Sequence, residues 1–240
     1  MRTRTFARLG TALAGAAIST LAFAGTAQAA AGTIMVPDDF NPARSDTRAT
    51  GNYAVQGTGL HIWTEGSTST DKVAEYVDTS TPLAGTGEPS LNYRTNSGII
   101  PPGYQLVVDF DNDGSFDGIL VGEPTAYDND WWASNGSAQF VKDEAPSHTG
   151  GSGSDNHGTL DQWRVAFPNA VVKAFGFSLG SGVLGDYLIN SIEFNGTTYT
   201  FAAPVVLTSK EQCKKDGWKT STSPVFKNQG DCVSFFASGK

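Results

Sequence analysis

Histidine, cysteine and methionine are scarce in this chain, at three, two and two residues in 240. Two cysteines, Cys213 and Cys232, leave no C-x-x-C redox pair and no ligand set for a four-coordinate zinc site. The three histidines, His61, His148 and His157, all precede residue 158, which restricts any catalytic triad to unusual chain orders. Positive charge is also short: sixteen Lys and Arg stand against twenty-four Asp and Glu. Three of the bases lie in the first eight residues and six lysines in Thr208–Lys240. The stretch between them carries seven bases and twenty-one acids. A body that acidic repels a polyanion and excludes a nucleic-acid partner. After residue 30 no run is apolar over the roughly 20 residues that a membrane span needs.

The one long apolar run opens the chain. Arg2, Arg4 and Arg8 precede "LGTALAGAAISTLAFAG", and Ala27-Gln28-Ala29 supplies a small-residue cleavage site. Residues 1–29 therefore read as a secretory signal peptide, and the remainder as a secreted, extracellular protein without a membrane span. Disulfides persist in that compartment, so Cys213 and Cys232 are expected to pair.

Residues 30–52 are polar and show no sustained period; they read as a leader or linker. From residue 53 to 207 short runs rich in Val, Ile, Phe, Tyr and Thr alternate with Gly, Pro, Asn, Asp and Ser. That pattern predicts a mainly β domain, a jelly-roll-like β-sandwich. "GLHIWTEG" alternates, with Leu60 and Ile62 on one face and His61 and Trp63 on the other. Asn195-Gly196 between two strand-like runs predicts a hairpin, since both turn positions require positive φ. One short helix is expected in "GTLDQWRVAFP", with Thr159 as its N-cap, Pro168 as its stop, and Leu160, Trp163 and Phe167 on one face. Residues 208–240 read as a separate tail. Ser209 to Gln212 fits a capping box, and "QGDCVSFFAS" suggests a second helix. The disulfide would staple the two into a small helical hairpin whose size permits little core.

"AFGFSLGSG" contains G-x-S-x-G around Ser178, the pattern of a nucleophile elbow. An elbow needs strand, sharp turn and helix, whereas "GSGVLGDYLINSIEF" follows with glycines and strand formers. The reading that fits is a strand with glycines that permit a bend or close packing.

The most specific chemistry lies in "VVDFDNDGSFDGILVGE". Asp109, Asp111 and Asp113 alternate, Gly114 permits a sharp turn, Ser115 offers its carbonyl and Asp117 a further carboxylate. Ca²⁺ takes six to eight oxygens, and such a loop can wrap around it. A regular EF-hand needs Glu at the twelfth position, where Leu120 stands. The expected cofactor is therefore a structural Ca²⁺ that fixes a hairpin. A second acidic stretch, Asp128 to Asp130, reads as a polar loop.

Among the aromatics, Trp63, Tyr127 and Trp132 are candidate ligand-binding residues. Adjacent Trp131 and Trp132 should point to opposite faces, one into the core. Exposed rings beside Asp and Asn suit a glycan or cell-wall polymer. The leading expectation is a non-catalytic binding protein. The alternative is an extracellular hydrolase: a glycosidase using carboxylates such as Glu65, Glu75 and Glu123, or a serine esterase.

Over about a dozen residues the acidic segment resembles the calcium loop of FG-GAP (integrin-type) repeats, where D-x-D-x-D-G-x-x-D joins two strands. One copy does not imply their propeller. The stretches "GLHIWTEG", "KVAEYVD", "PPGYQLVVDFDNDG", "GILVGEP", "GTLDQW" and "AFGFSLGSGVLGD" resemble a group of secreted proteins of Streptomyces and related actinobacteria. "SKEQCKKDGW…VFKNQGDCVSF" is similar to a tail appended to many secreted proteins of those bacteria. The resemblance covers most of the chain after the leader. It implies export and the limits of the two units, and no particular activity.

Overall fold

A computed structural model describes residues 29–123, 129–151 and 153–238. The expected signal peptide, apart from its last residue, and the candidate Tyr127 lie outside the described residues, as does Asp128.

Side-chain alternation decides the faces of every strand. In β10 (Val171–Leu179), Phe175, Phe177 and Leu179 enter the main core, whereas Ala174 joins a second, smaller cluster on the opposite face. By the same alternation Gly176 and Ser178 share that opposite face. Two six-stranded sheets result. The first orders β1 (Ala30–Met35), β12 (Thr197–Ala202), β11 (Gly185–Phe194), β3 (Gly59–Trp63) and β2 (Asn52–Gln56), with β5 (Ser90–Gly98) also paired to β11. The second orders β4 (Val73–Pro82), β10, β6 (Gly103–Asp109), β7 (Gly118–Gly122), β8 (Asp130–Ala133) and β9 (His157–Thr159).

The expected β-sandwich is thus the fold. Ile34, Leu60, Ile62, Leu106, Phe177 and Ile189 are among the fully buried residues between the sheets. Each such side chain contributes roughly 1.5–3 kcal/mol of burial. Phe175 and Phe194 stack across the interface with centroids 4.4 Å apart. Among the described residues all strand pairs are antiparallel except β1 with β12.

That exception corrects the reading of residues 30–52 as a leader. They belong to the sandwich: β1 adds an edge strand, Ile34, Val36 and Phe40 enter the core, and β2 begins at Asn52. Only a few of these residues are apolar, so their burial depends on partners far along the chain and leaves no local period.

The Asn195–Gly196 turn forms as expected. Both residues have positive φ, 49° and 68°, and they join β11 to β12. The expected helix is α2 (Leu160–Ala166), with a complete capping box between Thr159 and Gln162. Trp163 is fully buried and its indole N–H donates to the Trp131 carbonyl at 2.9 Å. A second, five-residue helix, α1 (Gln139–Asp143), has no side-chain cap and buries only Val141, so it left no sequence signature.

In the tail, Cys213 and Cys232 are disulfide-bonded, with Cα atoms 5.8 Å apart. Helix α3 (Gln229–Ala237) is capped by the Asn228 side chain. Near Ser209 the Gln212 side chain accepts the Thr208 and Ser209 N–H groups, but successive turns and a 3₁₀ turn at Gly217–Thr220 follow where the first helix was expected. Leu207, just ahead of the tail, packs with Cys213, Phe226 and Cys232 in a small core apart from that of the sandwich. No helix among the described residues is long and apolar enough to cross a membrane.

Candidate functional site

The acidic loop joins β6 to β7. Asp109 ends β6 with its side chain wholly buried. Its two oxygens accept the N–H groups of Asp113, at 3.1 Å, and Gly114, at 3.0 Å. Gly114 has φ +97°, which a residue with a side chain rarely adopts. Asp117 reaches back to accept the Phe110 N–H at 2.7 Å. The turn therefore aims its carboxylates inward. Oxygens of Asp109, Asp111 and Asp117 lie within 4.8 Å of one another. Two oxygens on one Ca²⁺ at 2.3–2.6 Å stand no more than about 5 Å apart, so these three fit the ion. Asp113 is not in that group; its Oδ1 accepts the Ser115 N–H at 2.7 Å. Partial burial, and then the charges of Asp111 and Asp109, raise the Asp117 pKa. The cation nearby is Lys173, whose Nζ is 4.0 Å from Asp109 Oδ2. The register of β10 shifts on both of its neighbours between Val172 and Ala174, which sets Lys173 at a bulge.

A cleft of about 320 Å³ opens on the outer face of the second sheet. Gly103 and Gln105 of β6, Val121 of β7, Trp132 of β8 and Ser178 of β10 line it, together with Glu123 just past β7. Small residues make the hollow. Gly103 pairs with Ser178 across the sheet, and a Cβ on Gly103 would stand 3.1 Å from Glu123 Oε1. The Glu123 side chain thus lies over the Gly103 backbone, whose partner across the sheet is Ser178. Burial pushes the Glu123 carboxyl up to about 7. Gln105 is held from the side by the buried Tyr76 hydroxyl, which donates to its carbonyl oxygen. Lys72 also lines the cleft, with its ammonium bound to Asp46 at 2.9 Å.

Trp131 and Trp132 separate as expected. Trp131 is buried in the main core, while Trp132 is half-buried on the outer face with Gly153 against its ring. Trp63 does not join it. It lies on the outer face of the first sheet, stacked on His61 at 4.5 Å, with its indole N–H directed to Glu65. His61 is bound in turn to Asp186 at 2.7 Å.

Ser178 sits inside β10, paired on both sides, and not on a strand–turn–helix elbow. No histidine lines its cleft among the described residues. The carboxylates considered for glycoside hydrolysis also fall apart. Glu65 is exposed beside Trp63, and Glu75 is buried against Thr47 at 2.6 Å. Among the described residues Glu123 is the single carboxylate lining the cleft. Asp130 is bound to His157 Nδ1 at 2.7 Å, so the second acidic stretch serves a loop contact.

Sequence reasoning missed Gly103 and Gln105. Their signal was positional: both occupy outward-facing sites on a strand whose inward residues are Tyr104, Leu106 and Val108. No protein family, no curated protein and no solved structure gives a match to this chain.

Proposed function

We propose that this is a secreted, non-catalytic protein that binds an extracellular glycan or cell-wall polymer in the cleft of its second sheet. The observation that carries the reading is the cleft itself, with a Trp132 ring at its edge and Gln105, Ser178 and Glu123 along its walls. Small-molecule sites combine aromatic or apolar walls with a few placed polar groups in clefts of about this size. An indole ring offers an apolar face to the C–H groups of a sugar. A structural Ca²⁺ held by Asp109, Asp111 and Asp117 would neutralise the β6–β7 loop and fix the strands that carry Gly103, Gln105 and Val121.

The test is affinity electrophoresis through gels containing soluble polysaccharides, with sedimentation on purified cell walls. Retardation by at least one polymer, lost in Trp132→Ala, supports the reading. Retention that Trp132→Ala leaves intact places binding elsewhere.

One observation favours the alternative, a glycosidase. A carboxyl poised near neutrality in a cleft is the form a general acid takes. That chemistry needs a second carboxylate across the scissile bond. Release of reducing ends from a bound polymer, abolished in Glu123→Gln, would establish it over simple binding.

A further inference from the structure

Two buried polar atoms in the cleft wall, Glu123 Oε2 and Ser178 Oγ, have no hydrogen-bond partner. Native interiors pair nearly all such atoms, so an unpaired one calls for an unseen partner. Here two occur in one hollow, Ser178 on β10 and Glu123 just past the end of β7, the two strands that flank β6, with the Gly103 backbone of β6 between them. Ser178 is only 3% exposed, so bulk water does not satisfy it. Building this arrangement took three choices: a glycine at 103, a small residue at 178, and an acid at the end of an apolar strand. An apolar side chain at either position would remove the unpaired atom without disturbing the sheet.

Resting on the reading of the cleft as the glycan site, we propose that Glu123 and Ser178 determine its specificity by hydrogen-bonding the hydroxyl groups of an uncharged sugar unit, and that acidic sugars are rejected. A carboxyl and a hydroxyl can each donate and accept, as can a sugar hydroxyl, so the sets are complementary. Among the described residues a ligand carboxylate finds no unpaired cation there. Lys72 is the single basic residue lining the cleft among the described residues, and it is already bound to Asp46. An ionised ligand would also give up its hydration in a poorly solvated wall that offers it no opposite charge. The protonated form of Glu123, favoured by its burial, is the one that donates. Lys72 lines the cleft and Arg48 reaches its rim at the Ser181 hydroxyl, and both are paired with Asp46.

The experiment is calorimetric titration of the purified protein with neutral oligosaccharides (glucans, mannans and N-acetylhexosamine chains) and with uronic-acid oligosaccharides of equal length. Wild type, Glu123→Gln, Ser178→Ala and Trp132→Ala are compared at about pH 6 and about pH 8, on either side of an ordinary neutral range. A neutral oligosaccharide is expected to bind more tightly than its acidic counterpart, and less tightly at the higher pH. Glu123→Gln, which keeps a donor and an acceptor, should abolish the pH dependence. Ser178→Ala should weaken binding about five- to tenfold, the worth of one hydrogen bond. If Trp132→Ala abolishes binding while Glu123→Gln and Ser178→Ala leave affinity and pH profile as in wild type, the cleft reading stands and this inference is overturned. Acidic oligosaccharides binding as tightly as neutral ones also overturns it. Binding untouched by all three variants, or none by any oligosaccharide, removes the cleft reading with it. Unchanged melting temperatures show that the variants fold.

Discussion

The buried Asp109 carboxylate accepts the backbone N–H of Gly114 at 3.0 Å and so closes the β6–β7 loop upon itself. Because Asp113 N–H binds the same carboxylate, the turn is shaped before any ion arrives. Asp111 and Asp117 then stand as like charges beside Asp109. A bound Ca²⁺ would convert that repulsion into attraction and, by binding the folded state alone, raise stability. At a hundredfold excess over its dissociation constant the gain is about 2.7 kcal/mol. Thermal unfolding with Ca²⁺ should therefore exceed that with chelator by several degrees. Asp111→Ala should remove the difference while lowering the chelator value little, since Asp111 is exposed. Equal midpoints at millimolar Ca²⁺ would reduce the loop to a hydrogen-bonded turn.

His157 should give the protein a pH-dependent loop. Its Nε2 lies 2.9 Å from the Thr149 carbonyl and its Nδ1 2.7 Å from Asp130. The hydrogen bond to Thr149, followed by those to Asp130, raises its pKa above the ordinary 6.5. Only the imidazolium donates from both nitrogens. A raised folded-state pKa means stability that is complete below about 6.5 and lost as pH rises through the folded value. Hydrogen exchange in residues 147–157 should quicken across that interval. His157→Gln should make the loop exchange fast at all pH values.

Helix α2 separates local from tertiary stabilisation. Thr159→Ala removes one side of an exposed capping box and should cost about 1 kcal/mol in urea unfolding. Trp163→Ala empties a wholly buried site and leaves the Trp131 carbonyl without its indole donor. That change should cost about 3–5 kcal/mol. Comparable losses at the two positions would mean that the helix is not anchored through Trp163.

The disulfide should govern the tail and not the sandwich. Cys213 and Cys232 lie in a small core apart from that of the sandwich. Replacing both with serine should cost that segment about 3 kcal/mol by freeing its unfolded chain. Limited proteolysis should then cut within residues 208–238, while the melting midpoint of the sandwich stays unchanged. A shared drop would mean that the two units unfold together.

What the sequence determined by itself is what rests on neighbours along the chain. Strand alternation around Leu60 and Ile62, the positive-φ Asn195–Gly196 turn, the Thr159 cap and the acidic turn from Asp109 to Asp117 each depend on residues within a few positions. Each was legible for that reason. The pairing of β1 with β12 was not, because an edge strand with few buried residues shows its role only beside its distant partner. The cleft was illegible for a stronger reason. Glu123 and Ser178 were both visible as chemistry, one as a carboxylate and one inside a serine motif. Neither position says that β7 and β10 flank β6, or that a glycine at 103 leaves the space between them. The order of strands in the sheet decided which side chains share a cavity. Burial there, not residue type, decided that the glutamate is held near neutrality and the serine is left without a partner.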